Sequence, residues 1–185
     1  MSKIKIKDKE FRLFISEKEL LNAIRDVATH INLHLIDEED PLFVCTLNGS
    51  FIFAAELMKQ LDEPYEMAFV SYSSYEGTES MGVVKEVMSI KANVKDRMVI
   101  LIEDIIESGA TMNYAIAQFK ELGAKEVKLA TLLFKPTALK YDLKPDFVGF
   151  DILDDFVVGF GLDYDQRGRG LKDIYKIIQN PECGV

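Results

Sequence analysis

Cysteine is scarce in this chain: there are two, Cys45 inside an apolar run and Cys183 near the end. That is too few, and too badly placed, for the disulfide framework of a small secreted domain, so both read as reduced thiols. Long apolar runs are missing as well. None reaches the roughly 18 residues that a membrane helix needs, and the first ten residues, MSKIKIKDKE, contain no apolar stretch of a secretory signal. A cytoplasmic protein without a membrane partner is expected. Positive charge is in short supply too, with 22 Lys and Arg against 31 Asp and Glu and a formal net charge of −9. A sequence-independent grip on nucleic acid would work against that field, so no nucleic-acid partner is expected. The two histidines, His30 and His34, stand one helical turn apart. No neighbouring cysteine or acidic motif completes a metal site around them.

What is present is an ordinary globular composition, 48% hydrophobic and 29% charged in 185 residues, which predicts a single domain over 1–185. The most informative stretch is Arg97 to Met112, RMVILIEDIIESGATM. Met98 to Ile102 has the branched, apolar character of a buried strand and is followed by two acids, Glu103 and Asp104. Glu107, Ser108, Gly109, Ala110 and Thr111 make a small polar turn. Met112, Ala115, Ile116, Phe119 and Leu122 then share one helical face, with Gly123 placed as a C-terminal cap. A strand, loop and helix of this kind binds anions, because the first N–H groups of the helix lack partners and carry partial positive charge. A phosphate fits at Ser108 to Thr111. The two acids need different partners, either sugar hydroxyls or a hard cation such as Mg2+. Phosphate, ribose and metal together describe a phosphorylated sugar. The competing reading is an ordinary turn with solvated acids and with Glu107 merely favoured by the helix dipole.

Elsewhere, Lys3 to Lys7 alternates as a short strand, and Ser16 with Glu19 forms a capping box for a helix running to about Leu35. Leu42 to Leu47 is an apolar strand that ends in Asn48, Gly49 and Ser50, before a helix over Phe51 to Leu61. Glu66 to Tyr72 reads as a strand, Ser73 to Gly82 as a polar loop and Val83 to Ile90 as the returning strand of a long hairpin. Val127 to Phe134 is a further strand, followed by Lys135, and Pro145 to Ile152 and Phe156 to Gly161 are short apolar segments around the acidic turn Asp154-Asp155. Strand, helix, strand implies a parallel pair with ligands at the C-terminal strand ends, where Asn48, Glu103, Asp104 and Lys135 all stand.

On these residues the chain resembles a known family. IEDIIESGATM is similar to the phosphoribosyl pyrophosphate signature of purine phosphoribosyltransferases, in which an acid precedes S/T-G-x-T. LNGSF resembles the family's pyrophosphate loop, with Asn48 where a lysine is usual. SSYEGTESMG resembles the flap of the bacterial hypoxanthine-guanine enzymes, which implies a flexible loop including Ser74 and Tyr75. KPDFVGFDILDDFVVGFGLDY resembles the base-binding region. The likeness runs over about residues 40 to 170. It implies an α/β, type I phosphoribosyltransferase fold: a central, mainly parallel sheet flanked by helices, with a core at about 36–135. A small hood would come from the N-terminal segment and about 136–185.

The resemblance also implies roles. Glu107 to Thr111 would hold the 5′-phosphate, Glu103 and Asp104 the ribose, and Asn48, Gly49 and Arg169 the pyrophosphate. Lys135 would donate to the purine 6-oxo group, Phe156 would stack and Val157 would offer its main chain. Asp163 would line the purine site with them and, through water, would join Glu103 and Asp104 in facing Mg2+. Glu107, an aspartate in most relatives, would take the proton from purine N7. The implied activity is purine salvage, transfer of phosphoribose from phosphoribosyl pyrophosphate to hypoxanthine or guanine, by a homodimer or homotetramer. The rivals are a xanthine-preferring enzyme and a phosphoribosyl-pyrophosphate-sensing regulator that binds nucleic acid.

Overall fold

The computed structural model describes residues 3–77 and 80–178, with side chains at 74–84 excepted. In chain order the elements are β1 (Lys3–Ile6), β2 (Lys9–Ile15), α1 (Glu17–His34), β3 (Leu42–Leu47), α2 (Phe51–Met58), β4 (Glu66–Gly77) and β5 (Ser80–Met88). They continue with β6 (Met98–Ile106), α3 (Ala110–Glu121), β7 (Glu126–Phe134), a 3-10 turn at Pro136–Ala138, β8 (Phe147–Asp151), β9 (Val157–Val158) and β10 (Ile174–Ile177).

Six strands form one sheet in the order β5-β4-β3-β6-β7-β8, in which only the β4–β5 pair is antiparallel. Its central strands β3 and β6 are buried on both faces, as parallel strands covered by helices must be. On one face Phe43, Cys45, Ile100 and Ile102 pack with Ile24, Val27 and Ile31 of α1 and Phe53 and Leu57 of α2. On the other, Leu42, Val44, Val99 and Leu101 meet Met112, Ala115 and Phe119 of α3. The capping box forms: Ser16 N–H donates to Glu19 Oε2 at 2.9 Å, and Glu19 N–H to Ser16 Oγ at 3.4 Å. At the opposite end of the sheet from the glycine-bearing loops, the buried Arg97 guanidinium donates to Asp40 Oδ1 at 2.9 Å and Glu66 Oε2 at 2.7 Å.

Four antiparallel strands from both chain ends make the smaller sheet, ordered β1-β2-β10-β9. β8 belongs to the larger sheet, beyond the 36–135 core expected from sequence, so the smaller layer takes up the chain only after Asp151. The end of the chain is tied back where Asp173 Oδ1 accepts from Glu17 N–H at 2.8 Å, in the first turn of α1.

Three expectations change. β6 does not stop at Ile102; it runs through both acids to Ile106, because Ile105 and Ile106 resume the apolar pattern and pair with Leu133 and Phe134. Ser73 to Gly82 is mostly strand, with Ser74 opposite Val84 and Tyr75 opposite Val83. The β-favouring Val83 and Val84 supply a partner ladder that polar composition does not forbid. Thr78 and Glu79, and the side chains of Ser74 and Tyr75, lie outside the described residues. Leu122 caps α3 and is exposed instead of joining the buried face. Among the described residues no helix is long and apolar enough to cross a membrane.

Candidate active site

From β3 the chain turns to β4 on one side, and from β6 it turns to β7 on the other, so the sheet reverses its winding between β3 and β6. A crevice opens outside the carboxyl ends of strands at such a reversal. Asn48 and Gly49 follow β3, Glu103 and Asp104 lie near the end of β6, and Lys135 follows β7. The alternation of a strand sends the two acids to opposite faces of the sheet.

Asp104 is 7% exposed and packs on Gly49, where an added Cβ would come 1.7 Å from Asp104 Oδ2. Asp104 Oδ1 accepts from the Ile105 N–H at 2.9 Å. Glu103 is partly buried, with Oε2 shielded from solvent. The Thr46 hydroxyl is near enough to influence its carboxyl, yet neither Thr46 Oγ1 nor Glu103 Oε2 makes a well-formed hydrogen bond. Burial, and next the Asp104 charge, hold the Glu103 carboxyl well above the usual carboxylate range. Asp104 is also raised by burial, an effect opposed by the adjacent Glu103 carboxyl, by the hydrogen bond from the Ile105 N–H and by the Arg169 charge. The Cys45 thiol, next to these acids, is pushed up to about 11 by burial and is therefore no nucleophile.

Gly109 begins α3 in the left-handed region at φ 82, and a Cβ there would meet Leu139 Cδ1 at 2.9 Å. This conformation turns the chain sharply from strand to helix, which leaves the amides of Ala110 and Thr111 at the helix start. Ser108 Oγ accepts from Ala110 N–H at 3.3 Å, and Ser108 O from Lys140 N–H at 2.9 Å. Because Gly109 is the N-cap, Glu107 does not cap the helix. It is ion-paired with Lys135 instead.

Lys135 is 3% exposed, and its ammonium bridges Glu107 Oε1 and Asp154 Oδ1, the latter at 3.1 Å. Sequence reasoning passed over Asp154, taking it for part of a solvated turn; its place two residues ahead of Phe156 was the available signal. Phe156 is 43% exposed, with its ring 6.2 Å from Phe11 and 5.9 Å from Tyr164, so it is a half-covered aromatic surface. Val157 is buried and pairs with Lys176 of β10.

Arg169 and Asp163 meet each other, Nη2 to Oδ1 at 2.6 Å. Arg169 Nη1 also donates to Gly161 O at 2.8 Å. Gly161, at φ 104, lies so close to the β3 loop that a Cβ would come 1.9 Å from Gly49 O. The contact order Asp104, Gly49, Gly161, Arg169, Asp163 therefore crosses from the large sheet to the small one.

Among the described residues, no three Asp, Glu, His or Cys side chains converge as a metal cage, so Glu103, Asp104 and Asp163 do not form a closed site. The donors still suit Mg2+, which keeps several waters and takes one or two carboxylates together with substrate phosphates. The unpartnered Glu103 Oε2 is an oxygen donor of that kind.

Residues 16–165 match the family model described as phosphoribosyl transferase domain. The chain is 40% identical over 161 residues to the hypoxanthine-guanine phosphoribosyltransferase of Bacillus subtilis, which spans 86% of this chain and 89% of that protein. Among solved structures, a hypoxanthine-guanine phosphoribosyltransferase from Bacillus anthracis superposes with TM-score 0.83 at 34% identity, covering 94% of this chain and 99% of that one. A hypoxanthine phosphoribosyltransferase from Staphylococcus aureus gives TM-score 0.85 at 30% identity, with 90% and 91% covered.

The buried acids make a pH prediction. In the unfolded chain Glu103 ionises near its ordinary value of about 4.3, whereas the fold keeps its proton to higher pH. The folded state then holds more protons, so this group's contribution to stability falls as pH rises from about 4.3 toward the folded value. Glu103→Gln deletes that penalty. Its melting temperature should exceed the parent's by a margin that widens as pH rises above about 4.3; a constant margin would mean that the fold leaves the Glu103 carboxyl unshifted.

Proposed function

The chain belongs to the phosphoribosyl transferase family, and on that premise we propose that it is a hypoxanthine-guanine phosphoribosyltransferase working in purine salvage. It transfers the 5-phosphoribosyl group from phosphoribosyl pyrophosphate to hypoxanthine or guanine, giving IMP or GMP and pyrophosphate. The observation that carries this reading is the Lys135–Glu107 pair. A 6-oxopurine presents an acceptor, O6, beside a donor, N7–H, and the pair presents a donor beside an acceptor. Adenine, with a donor at position 6, matches this arrangement poorly. Hypoxanthine, guanine and xanthine share the O6/N7 edge, so a preference for xanthine would have to arise elsewhere in the site.

In this reading the amides of Ser108 to Thr111 hold the 5′-phosphate at the start of α3. Glu103 and Asp104 accept from the ribose hydroxyls, which restore hydrogen bonds to buried oxygens. Asn48 has no charge to offer, so the backbone of Asn48 and Gly49 and the Arg169 guanidinium take the pyrophosphate. Phe156 stacks on the purine, and the Val157 main chain reads its edge. Mg2+, faced by Glu103, Asp104 and, through water, Asp163, would neutralise charge on the leaving pyrophosphate. Glu107 accepts the N7 proton as the glycosidic bond forms. Glutamate has nearly the basicity of aspartate, about 4.3 against 3.9, with one more methylene of reach. The hairpin of β4 and β5, with Ser74 and Tyr75, is the segment that covers the site and keeps water out. The protein works in the cytoplasm on small molecules, as a homodimer or homotetramer.

An absorbance assay with phosphoribosyl pyrophosphate, Mg2+ and each purine tests the activity. Turnover with hypoxanthine and guanine, abolished by a chelator, is expected, and no turnover with any base would favour a ligand-sensing regulator. Glu107→Gln should lower kcat by roughly 10²- to 10⁴-fold with phosphoribosyl pyrophosphate still bound. A loss of only a few-fold would leave Glu107 as a phosphate-loop residue alone. Light scattering should report a particle two or four times the 21.0 kDa chain mass, and a 21.0 kDa particle would remove the oligomer.

A further inference from the structure

Lys135 has a second carboxylate, Asp154, that the proposed chemistry does not use. We propose that Asp154 is a positioning residue that keeps the buried Lys135 ammonium charge-compensated while Glu107 takes up the purine N7 proton. This rests on the reading of Lys135 and Glu107 given above.

The geometry separates this contact from an ordinary surface ion pair. Exposed pairs contribute little because water screens both partners; here Asp154 is 71% exposed but Lys135 only 3%. The turn that carries Asp154 is also anchored on both sides. Ile152 N–H donates to Phe134 O at 2.8 Å, directly before Lys135, and Ile177 N–H donates to Phe156 O at 2.9 Å. The adjacent Asp155 takes a different cation, Lys176, at 2.9 Å. Neighbouring acids of one turn thus hold separate lysines, and Asp154 is committed to the site side.

The charge balance explains what Asp154 does. At rest the ammonium faces two carboxylates, for a net charge of −1. During transfer the N7–H bond breaks, its electron pair stays in the purine ring, and an O–H bond forms on Glu107. Glu107 is then neutral and grips the ammonium less. With Asp154 in place the group becomes neutral overall. Without it, an unpaired cation would remain where there is almost no water, which is costly. The ammonium has three N–H donors. With one on each carboxylate, the third is left for O6, and Asp154 fixes the rotation that aims it.

The test uses the full chain, hypoxanthine and initial rates. Asp154→Asn should lower kcat on the order of tenfold to a hundredfold, the range of a lost charge-assisted hydrogen bond. The melting temperature and the KM for phosphoribosyl pyrophosphate should stay at the parent's values. Asp154→Glu should recover part of the rate. In a Lys135→Ala background, Asp154→Asn should add less than about twofold, since a residue acting through Lys135 has nothing left to act on. Asp154→Asn at the parent's rate, or an equal loss with and without Lys135, would overturn the inference while leaving the proposed activity intact. A parent that turns over no oxopurine would remove both.

Discussion

A cation with almost no access to water persists only where carboxylates meet it, and Lys135 is such a cation. Its partners come from distant parts of the chain: Glu107 from the loop between β6 and α3, Asp154 from the turn between β8 and β9. One ammonium therefore sets the separation between the loop that would hold phosphate and the segment that presents Phe156. Losing both contacts would leave the ammonium uncompensated, so the site edge is held by electrostatics as much as by packing.

A second constraint acts between the sheets. Gly49 and Gly161 allow backbone approaches that any side chain would block, one beneath Asp104 and the other against the Gly49 carbonyl. Arg169 then bonds the Gly161 carbonyl and pairs with Asp163, which brings the smaller sheet's loop up to the acids of the larger one. The acids have to be placed in the crevice because the sheet reverses its winding between β3 and β6. Their burial follows from the length of β6: Ile105 and Ile106 carry the strand past them, so Glu103 and Asp104 sit within a ladder instead of at a solvated end.

Much of this was legible in local pattern. The capping box at Ser16 and Glu19, the stripe of Leu20, Ile24, Val27 and Ile31, the runs at Leu42–Leu47 and Met98–Ile102, and the left-handed Gly123 are signals that a few neighbouring residues carry alone. The loop at Glu107 to Thr111 was legible for the same reason, since small residues before an apolar helical stripe have a local physical meaning. β10 was not read, because it is four residues long and its partner β2 lies across most of the chain; β2, which also pairs with β1, was passed over. The extension of β4 to Gly77 likewise depends on its partner β5.

The amino-acid sequence by itself determined the strand, loop and helix units, the residue types at the strand ends and the family to which they point, because periodicity, caps and motifs are properties of contiguous residues. Only the tertiary structure decided which of those residues touch. It placed Glu107 on Lys135 instead of at the helix cap, joined Asp163 to Arg169, gave Lys135 the overlooked Asp154, and set Glu103 beside Asp104 in a partly buried place that raises its carboxyl above the usual range. Contact and burial depend on how separate segments are brought together, and for charged groups those two quantities set the chemistry.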